Sequence, residues 1–346
     1  MTDPKNTQGD GLPATQGPGA RKSWRRFLPL FRVVLSVLLI WVLIRQVSLE
    51  DFSTYWNRML QHWPYLAVAL SVPGFALVIT AARLQVLLKA QAINVSIVQV
   101  YVMSLVASVY NQILPSTIGG DVVRGLWISK QQKAAEGRAA SDNPHTASFS
   151  IIVLDRALGF LGILFAGLVA VLTRPSILQE YPAVIVILPL SFAVLIGILL
   201  LTRVSMRSVG RRVFSLGPLV AVRDKAITIY RTLKLYNNQK KTLAMAFLLA
   251  VTLQGIIIWH FWLLSNVLEL GMSLHVMAVI VPIVTVLGML PISINGIGVR
   301  ESALYFLGAP FGMTISGAVA VAWLFLISKL LWALLGAVVN MRFRLH

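Results

Sequence analysis

Leu114-Pro115-Ser116-Thr117-Ile118-Gly119-Gly120-Asp121-Val122-Val123-Arg124 interrupts one apolar run of this chain. Leu290-Pro291-Ile292-Ser293-Ile294-Asn295-Gly296-Ile297-Gly298-Val299-Arg300 interrupts another in the same way. Aligned without a gap, the two share Leu, Pro, Ile, Gly, Val and Arg, and a hydroxyl recurs at Thr117 and Ser293. Pro, Gly and Arg in one frame are not apolar filler, so the pair reads as an internal repeat. Pro115 and Pro291 lack an N–H and stop the helix that precedes them. Gly119, Gly120, Gly296 and Gly298 admit backbone angles that other residues resist. Each stretch therefore reads as a helix, a break and a second half-helix.

The sequence on either side is membrane sequence. Hydrophobic residues make up 57% of the chain and charged residues 12%, with mean hydropathy +0.79; a soluble domain carries about 25% charged residues. Apolar runs long enough to cross a bilayer, about 20 residues each, lie at 27–46, 64–82, 148–172, 183–202, 242–265 and 315–340. The fold class is an all-α polytopic membrane protein. Lys and Arg number 30 against 12 Asp and Glu, a formal charge of +18. These basic residues crowd between the apolar runs, which points to retention on the cytoplasmic side and not to nucleic acid. The chain has no cysteine, which excludes disulfides, thiolate metal sites and cysteine nucleophiles. Residues 1–26 read as a disordered basic tail.

Charge bias orients the spans. The N-terminal segment, the connection 203–241 with its ten Lys and Arg (Arg203 to Lys241), and the C-terminal Arg342 and Arg344 belong inside. The connections 47–63, 174–182 and 266–273 carry few basic residues and belong outside. The first broken stretch lies between Arg83 and Lys89 on one side and Arg124, Lys130, Lys133 and Arg138 on the other. It must enter from the cytoplasm and return to it. The second lies between an external loop near Glu269 and a last span running inward, so it enters from outside and returns there. Two re-entrant hairpins, about 93–135 and about 274–310, follow. With them the chain divides into repeat 1, residues 27–172, and repeat 2, residues 183–340, of opposite orientation. Inverted repeats of this kind build secondary transporters. The expected location is the inner cell membrane, multi-pass, with both termini cytoplasmic.

Non-helical backbone at membrane depth is tolerated only inside protein or beside a wet cavity. Half-helix N-termini there are natural seats for an anion, and Arg124 and Arg300, expected in the first turn of each returning half-helix, would reinforce them. An arginine fork suits phosphate. Ser116, Thr117, Ser293, Asn111 and Asn295 offer neutral hydrogen bonds. The competing reading pairs Arg124 with Asp121 and Arg300 with Glu301. Asp155 and Arg156 lie in one span and Lys329 in its counterpart; Asp155 is expected either to pair with Lys329 across the bundle or to take up a coupling proton. His260 reads as a packed, hydrogen-bonded histidine. The segment 205–236 reads either as an amphipathic helix on anionic lipid or as a solvated loop.

Over residues 111–124 and 291–301, and in general pattern over 27–340, the chain resembles the flippase-like membrane family related to the transmembrane region of lysylphosphatidylglycerol synthase. The resemblance implies a two-hairpin core. Asn111, Pro115, Gly119, Gly120, Asp121 and Arg124 form its first motif, and Pro291, Asn295, Gly296, Gly298, Arg300 and Glu301 its second. It does not imply synthase activity, because the synthase domain follows the membrane part and this sequence stops at His346.

The expected function is movement of a phospholipid or other polar lipid between leaflets, with a membrane lipid as substrate and no enzymatic activity. No P-loop pattern is present, and no cofactor or metal is expected. Two alternatives stand beside it. One is a non-catalytic partner that docks a lipid- or glycan-modifying enzyme through the basic connection 203–241. The other is a polyprenyl-phosphate glycosyltransferase relying on Glu50 and Asp51, the candidate acids of the first external connection.

Overall fold

A computed structural model describes residues 38–39, 41–42, 45, 49–113, 119–136, 144–173, 236, 239–289, 293 and 295–343. The tail 1–26, most of the span 27–46, the span 183–202, nearly all of the basic connection 203–241 and the whole of 205–235 lie outside the described residues. So do Pro115, Ser116, Thr117 and Pro291.

Nine α-helices are described: α1 (Leu49–Gln61), α2 (Trp63–Lys89), α3 (Ile97–Ile113), α4 (Gly119–Glu136), α5 (Pro144–Thr173), α6 (Lys240–Val267), α7 (Leu274–Met289), α8 (Val299–Gly308) and α9 (Ile315–Phe343). No strand occurs among the described residues. α2, α5, α6 and α9 are long and apolar enough to cross a membrane, so the protein is an all-α, multi-pass membrane protein. The expected spans 64–82, 148–172, 242–265 and 315–340 each fall within one of them. Both broken stretches are broken: α3 ends at Ile113 and α4 begins at Gly119, and α7 ends at Met289 and α8 begins at Val299. At the second break Asn295, Gly296 and Gly298 have φ of +53°, +78° and +84°. This is the left-handed region, which Asn tolerates and Gly favours.

α2 and α6 lie side by side and run in opposite directions. At one end Tyr236 Oη donates to the Leu87 carbonyl (3.0 Å) and Gln239 Nε2 to the Ala90 carbonyl (2.8 Å). At the other end Arg58, just before α2, donates to the Leu268 carbonyl just after α6 (2.8 Å). Lys89, Lys240 and Lys241 thus share one end of the bundle, and Glu269 marks the other. Ile151, Ile152 and Leu154 join the core around Leu84, Leu87 and Leu88, which puts the start of α5 at the basic end. α4 runs antiparallel to α5, because Asp121 meets Arg156 while Gly125 meets Phe149 and Ile152. The chain therefore goes in along α3 and back along α4 to the end from which it started. α7 and α8 do the same from the opposite end, where Ser316 at the start of α9 donates to Asp51 (2.6 Å).

The packing has paired counterparts. α2–α3 matches α6–α7, α3–α4 matches α7–α8, and α4–α5 matches α8–α9. Across the halves, α2–α9 matches α6–α5 and α3–α9 matches α7–α5. Small residues make these approaches possible, as lipid-embedded helices need close backbone contact. A Cβ on Gly336 would strike the Leu105 carbonyl, one on Gly74 the Trp332 indole, and one on Gly162 the Ala250 carbonyl.

Two expectations need correction. The connection 47–63 is not a plain loop. It holds α1, an amphipathic helix whose polar side ties to the bundle through Asp51–Ser316, Tyr55–Thr314 and Arg58–Leu268. Its Phe52, Trp56 and Leu60, spaced four apart, remain exposed. Arg83 is also no loop charge. The expected span ended at Ala82, but α2 continues to Lys89 and Arg83 is buried within it.

Candidate functional site

Between the two helix breaks lies a cavity of about 370 Å³, walled by α2, α3, α4, α5, α6, α7, α8 and α9. Pro73 in α2, where the missing N–H leaves a carbonyl free, stands on this wall. Of the predicted site residues, Asn111, Arg124, Asn295, Arg300, Asp155, Arg156 and Lys329 line it. Sequence reasoning missed Arg83, Gln112, Gln254 and Trp332, which line it too. The signal for Arg83 and Gln254 was available, since a polar side chain within a run of apolar residues at membrane depth is functional or partnered by default. The signal for Arg83 was lost when the span was ended one residue early.

The two ion pairs on the first-repeat side are both two-pronged. Arg83 donates to Asp155 through Nε (2.7 Å) and Nη2 (2.9 Å), with both side chains buried. Arg156 donates to Asp121 through Nε (2.7 Å) and Nη2 (2.9 Å). Asp155 is therefore held by Arg83 and not by Lys329, which corrects the expected pair. Arg83 lies only on the next helix over, while Lys329 is turned to the Phe325 ring at 5.4 Å. Asp121 is engaged mainly by Arg156, and Arg124 Nη1 stands 4.0 Å from it.

The expected anion seats at the half-helix N-termini are filled from within. Asn111 Oδ1 accepts from the Gly120 N–H (2.9 Å), and Glu301 Oε2 accepts from the Gly298 N–H (2.7 Å). Asn111 and Glu301 are thus helix caps. Glu301 makes no ion pair within 4.0 Å with its neighbour Arg300, whose Nη2 donates to the Asn295 carbonyl (3.2 Å) and whose guanidinium lies 4.9 Å from the Phe325 ring. Arg300 sits in the first turn of α8 as expected. Arg124 is in the second turn of α4, because that helix starts at Gly119. Asn295 also donates to Gln112, which links the two breaks directly. Ser293 is buried, and its hydroxyl has no partner. His260 is buried against Phe325 (5.4 Å), lines the cavity and keeps Nε2 unpartnered; its place is the cavity wall as well as the packing.

Five cationic side chains therefore face the cavity, Arg83, Arg124, Arg156, Arg300 and Lys329. Among the described lining residues the one carboxylate is Asp155, while Asp121 is held by Arg156 and Glu301 by the Gly298 N–H. Among the described residues, Arg124 Nε, Arg300 Nη1 and Gln254 Nε2 are buried donors without a partner. These nitrogens need acceptors, and an oxygen-rich anion supplies them.

A multi-pass helical membrane protein with two facing helix breaks around a buried cationic cavity is the class that this fold and site define. Residues 30–336 match the family model described as the lysylphosphatidylglycerol synthase TM region. The chain belongs to that family, whose description concerns a membrane region tied to lipid modification. Among curated proteins, none matches the chain.

Proposed function

We propose that this protein carries a polar lipid between the leaflets of the inner cell membrane. The observation that carries this reading is the cavity itself: a cationic, donor-rich chamber within a helical bundle, at the meeting point of two broken helices. A phosphate head group fits those donors while the tails stay in the bilayer. Broken helices at membrane depth are where secondary transporters build their sites.

The antiparallel run of α2 and α6 and the paired packing of the two halves support an inverted repeat with two re-entrant hairpins. At about 1.5 Å per residue, α3 and α8 span roughly 25 and 15 Å, short of a hydrocarbon core of about 30 Å. Rocking of one repeat against the other would open the cavity to each leaflet in turn. The shared basic end at Lys89, Lys240 and Lys241 is the cytoplasmic end by charge bias. The protein is read as a carrier and not a catalyst. Asp51, one of the two acids considered for chemistry, bonds Ser316 and fastens α1 to α9.

The test is leaflet exchange of fluorescent lipids in liposomes holding the purified protein, beside Arg124→Ala and Arg300→Ala. Exchange that folded variants lose supports the reading. Failure of the wild-type protein to exchange any head group, with or without a proton gradient or potential, would refute it.

A further inference from the structure

The cavity's two sides are unequal, and the difference specifies the head group. On the first-repeat side each aspartate is held by two bonds from one arginine, which leaves Arg124, 4.0 Å from Asp121, as the cation there without a two-pronged partner. On the second-repeat side Arg300 and Lys329 both lie over the Phe325 ring, at 4.9 and 5.4 Å from its centre. Among the described residues, neither has a carboxylate within 4.0 Å. The acid next to Arg300 in sequence, Glu301, is committed to the Gly298 N–H.

The unpartnered atoms of Arg300 and Gln254 have one polarity, while His260 Nε2 and the Ser293 hydroxyl can also accept. Arg300 is 8% exposed and Gln254 2%, and the buried, unsatisfied atoms they bring to the cavity wall are Nη1 and Nε2, both donors. A buried donor without an acceptor, beside a buried cation without a counter-charge, is among the costliest arrangements in a protein. An anion bearing several oxygens relieves both at once. A head group that also carries an ammonium would find no free described carboxylate for it here. Every described carboxylate near the cavity already has a partner, and Arg300 and Lys329 would repel it.

We propose that Arg300 and Lys329, in the cavity that Gln254 also lines, form a seat for a phosphate ester whose head group is net negative and carries no ammonium. Zwitterionic and aminoacylated phospholipids are rejected by the same charges. This rests on the carrier reading, and adds to it a rule of selection by head-group charge.

The experiment measures exchange of labelled phosphatidylglycerol, phosphatidic acid, phosphatidylcholine and an aminoacylated phosphatidylglycerol by the full-length protein in liposomes. The two anionic lipids should exchange at least about tenfold faster than the other two, a difference of about 1.4 kcal/mol. Lys329→Gln and Arg300→Gln should each remove most of that advantage, and Lys329→Arg should restore it. Equal exchange of all four lipids would overturn the selection rule and leave the carrier reading standing. Absence of any exchange would overturn the carrier reading alone, because the seat has its own readout. That readout is the thermal shift of the detergent-solubilised protein with short-chain phosphatidylglycerol, short-chain phosphatidylcholine or inorganic phosphate. Stabilisation by the anionic lipid only, lost in a Lys329→Gln protein that melts normally without ligand, supports the seat. Equal stabilisation by inorganic phosphate would make it a site for free phosphate, and equal stabilisation by phosphatidylcholine would remove its charge selectivity; either overturns the proposal.

Discussion

Asp155→Asn should be among the most damaging single-atom changes available in this bundle. Asp155 is 3% exposed and receives both prongs of Arg83, itself 5% exposed, at 2.7 and 2.9 Å. Gly159 leaves room for the guanidinium: a Cβ there would lie 3.2 Å from Arg83 Nη1. That Nη1 has no partner already, so Arg83 depends on Asp155 for its counter-charge. Removing one member of a buried pair costs about 3–5 kcal/mol, because the other charge stays buried. The amide keeps part of the hydrogen bonding, so the lower end of that range applies, a drop of roughly two orders of magnitude in the folding equilibrium. Removing both charges should be far milder. Arg83→Met with Asp155→Leu keeps volume and ends within about 1 kcal/mol of wild type, since paired buried ions are often matched by packed apolar residues. Reversible unfolding in mixed micelles, run as a double-mutant cycle, measures both. A loss under about 1 kcal/mol for Asp155→Asn, or additive losses in the double variant, would refute the pair as the anchor between α2 and α5.

Gly336→Val should part α9 from α3, since even a Cβ would strike the Leu105 carbonyl; a loss of about 1–3 kcal/mol in the same unfolding assay is expected. Gly298→Ala puts an alanine at φ +84° with its Cβ 2.6 Å from Leu39, and should cost about 1–3 kcal/mol, while Asn295→Gly relaxes φ +53° but loses the bond to Gln112 and should cost about 1 kcal/mol. The α1 strap should loosen in acid. The Glu269 carboxyl is held below the usual carboxylate range by its hydrogen bond with His62, and further by the charge of Arg58. A depressed folded-state pKa means that this contact contributes fully above the unfolded value of about 4.3 and is lost as pH falls through the lower one. A spin label at Leu60→Cys should gain mobility over that acid range, and Glu269→Gln should make it mobile at every pH.

Much of the architecture was legible in one dimension. Runs of about 20 apolar residues leave the backbone no choice in lipid but to bond internally as helix. The proline and glycine breaks interrupt those helices wherever they stand, so the two helix–break–helix units could be read from 114–124 and 290–300. The pairing of charges was not legible. Asp155, Arg156 and Lys329 were visible as buried ions, but their partners depend on which helix face meets which. A helical side chain points to a face set by its 100° step, and the neighbour on that face comes from anywhere in the chain. Arg83, 72 residues before Asp155, won that pairing through the packing of α2 on α5. The helix caps were misjudged for a related reason. The N–H groups at Gly120 and Gly298 were rightly expected to need acceptors, but Asn111 and Glu301 reach them first.

The sequence by itself determined that this is a helical membrane protein, where its helices break, and that few charges, of both signs, stand there. These follow from local physics: hydropathy, the missing N–H of proline, and the cost of ions in lipid. Only the tertiary structure decided that Arg83 satisfies Asp155 and Arg156 satisfies Asp121, leaving Arg300 and Lys329 over Phe325 without an acid. Ion pairing is settled by distances of a few ångströms between helices far apart in the chain, and no run of residues carries that information.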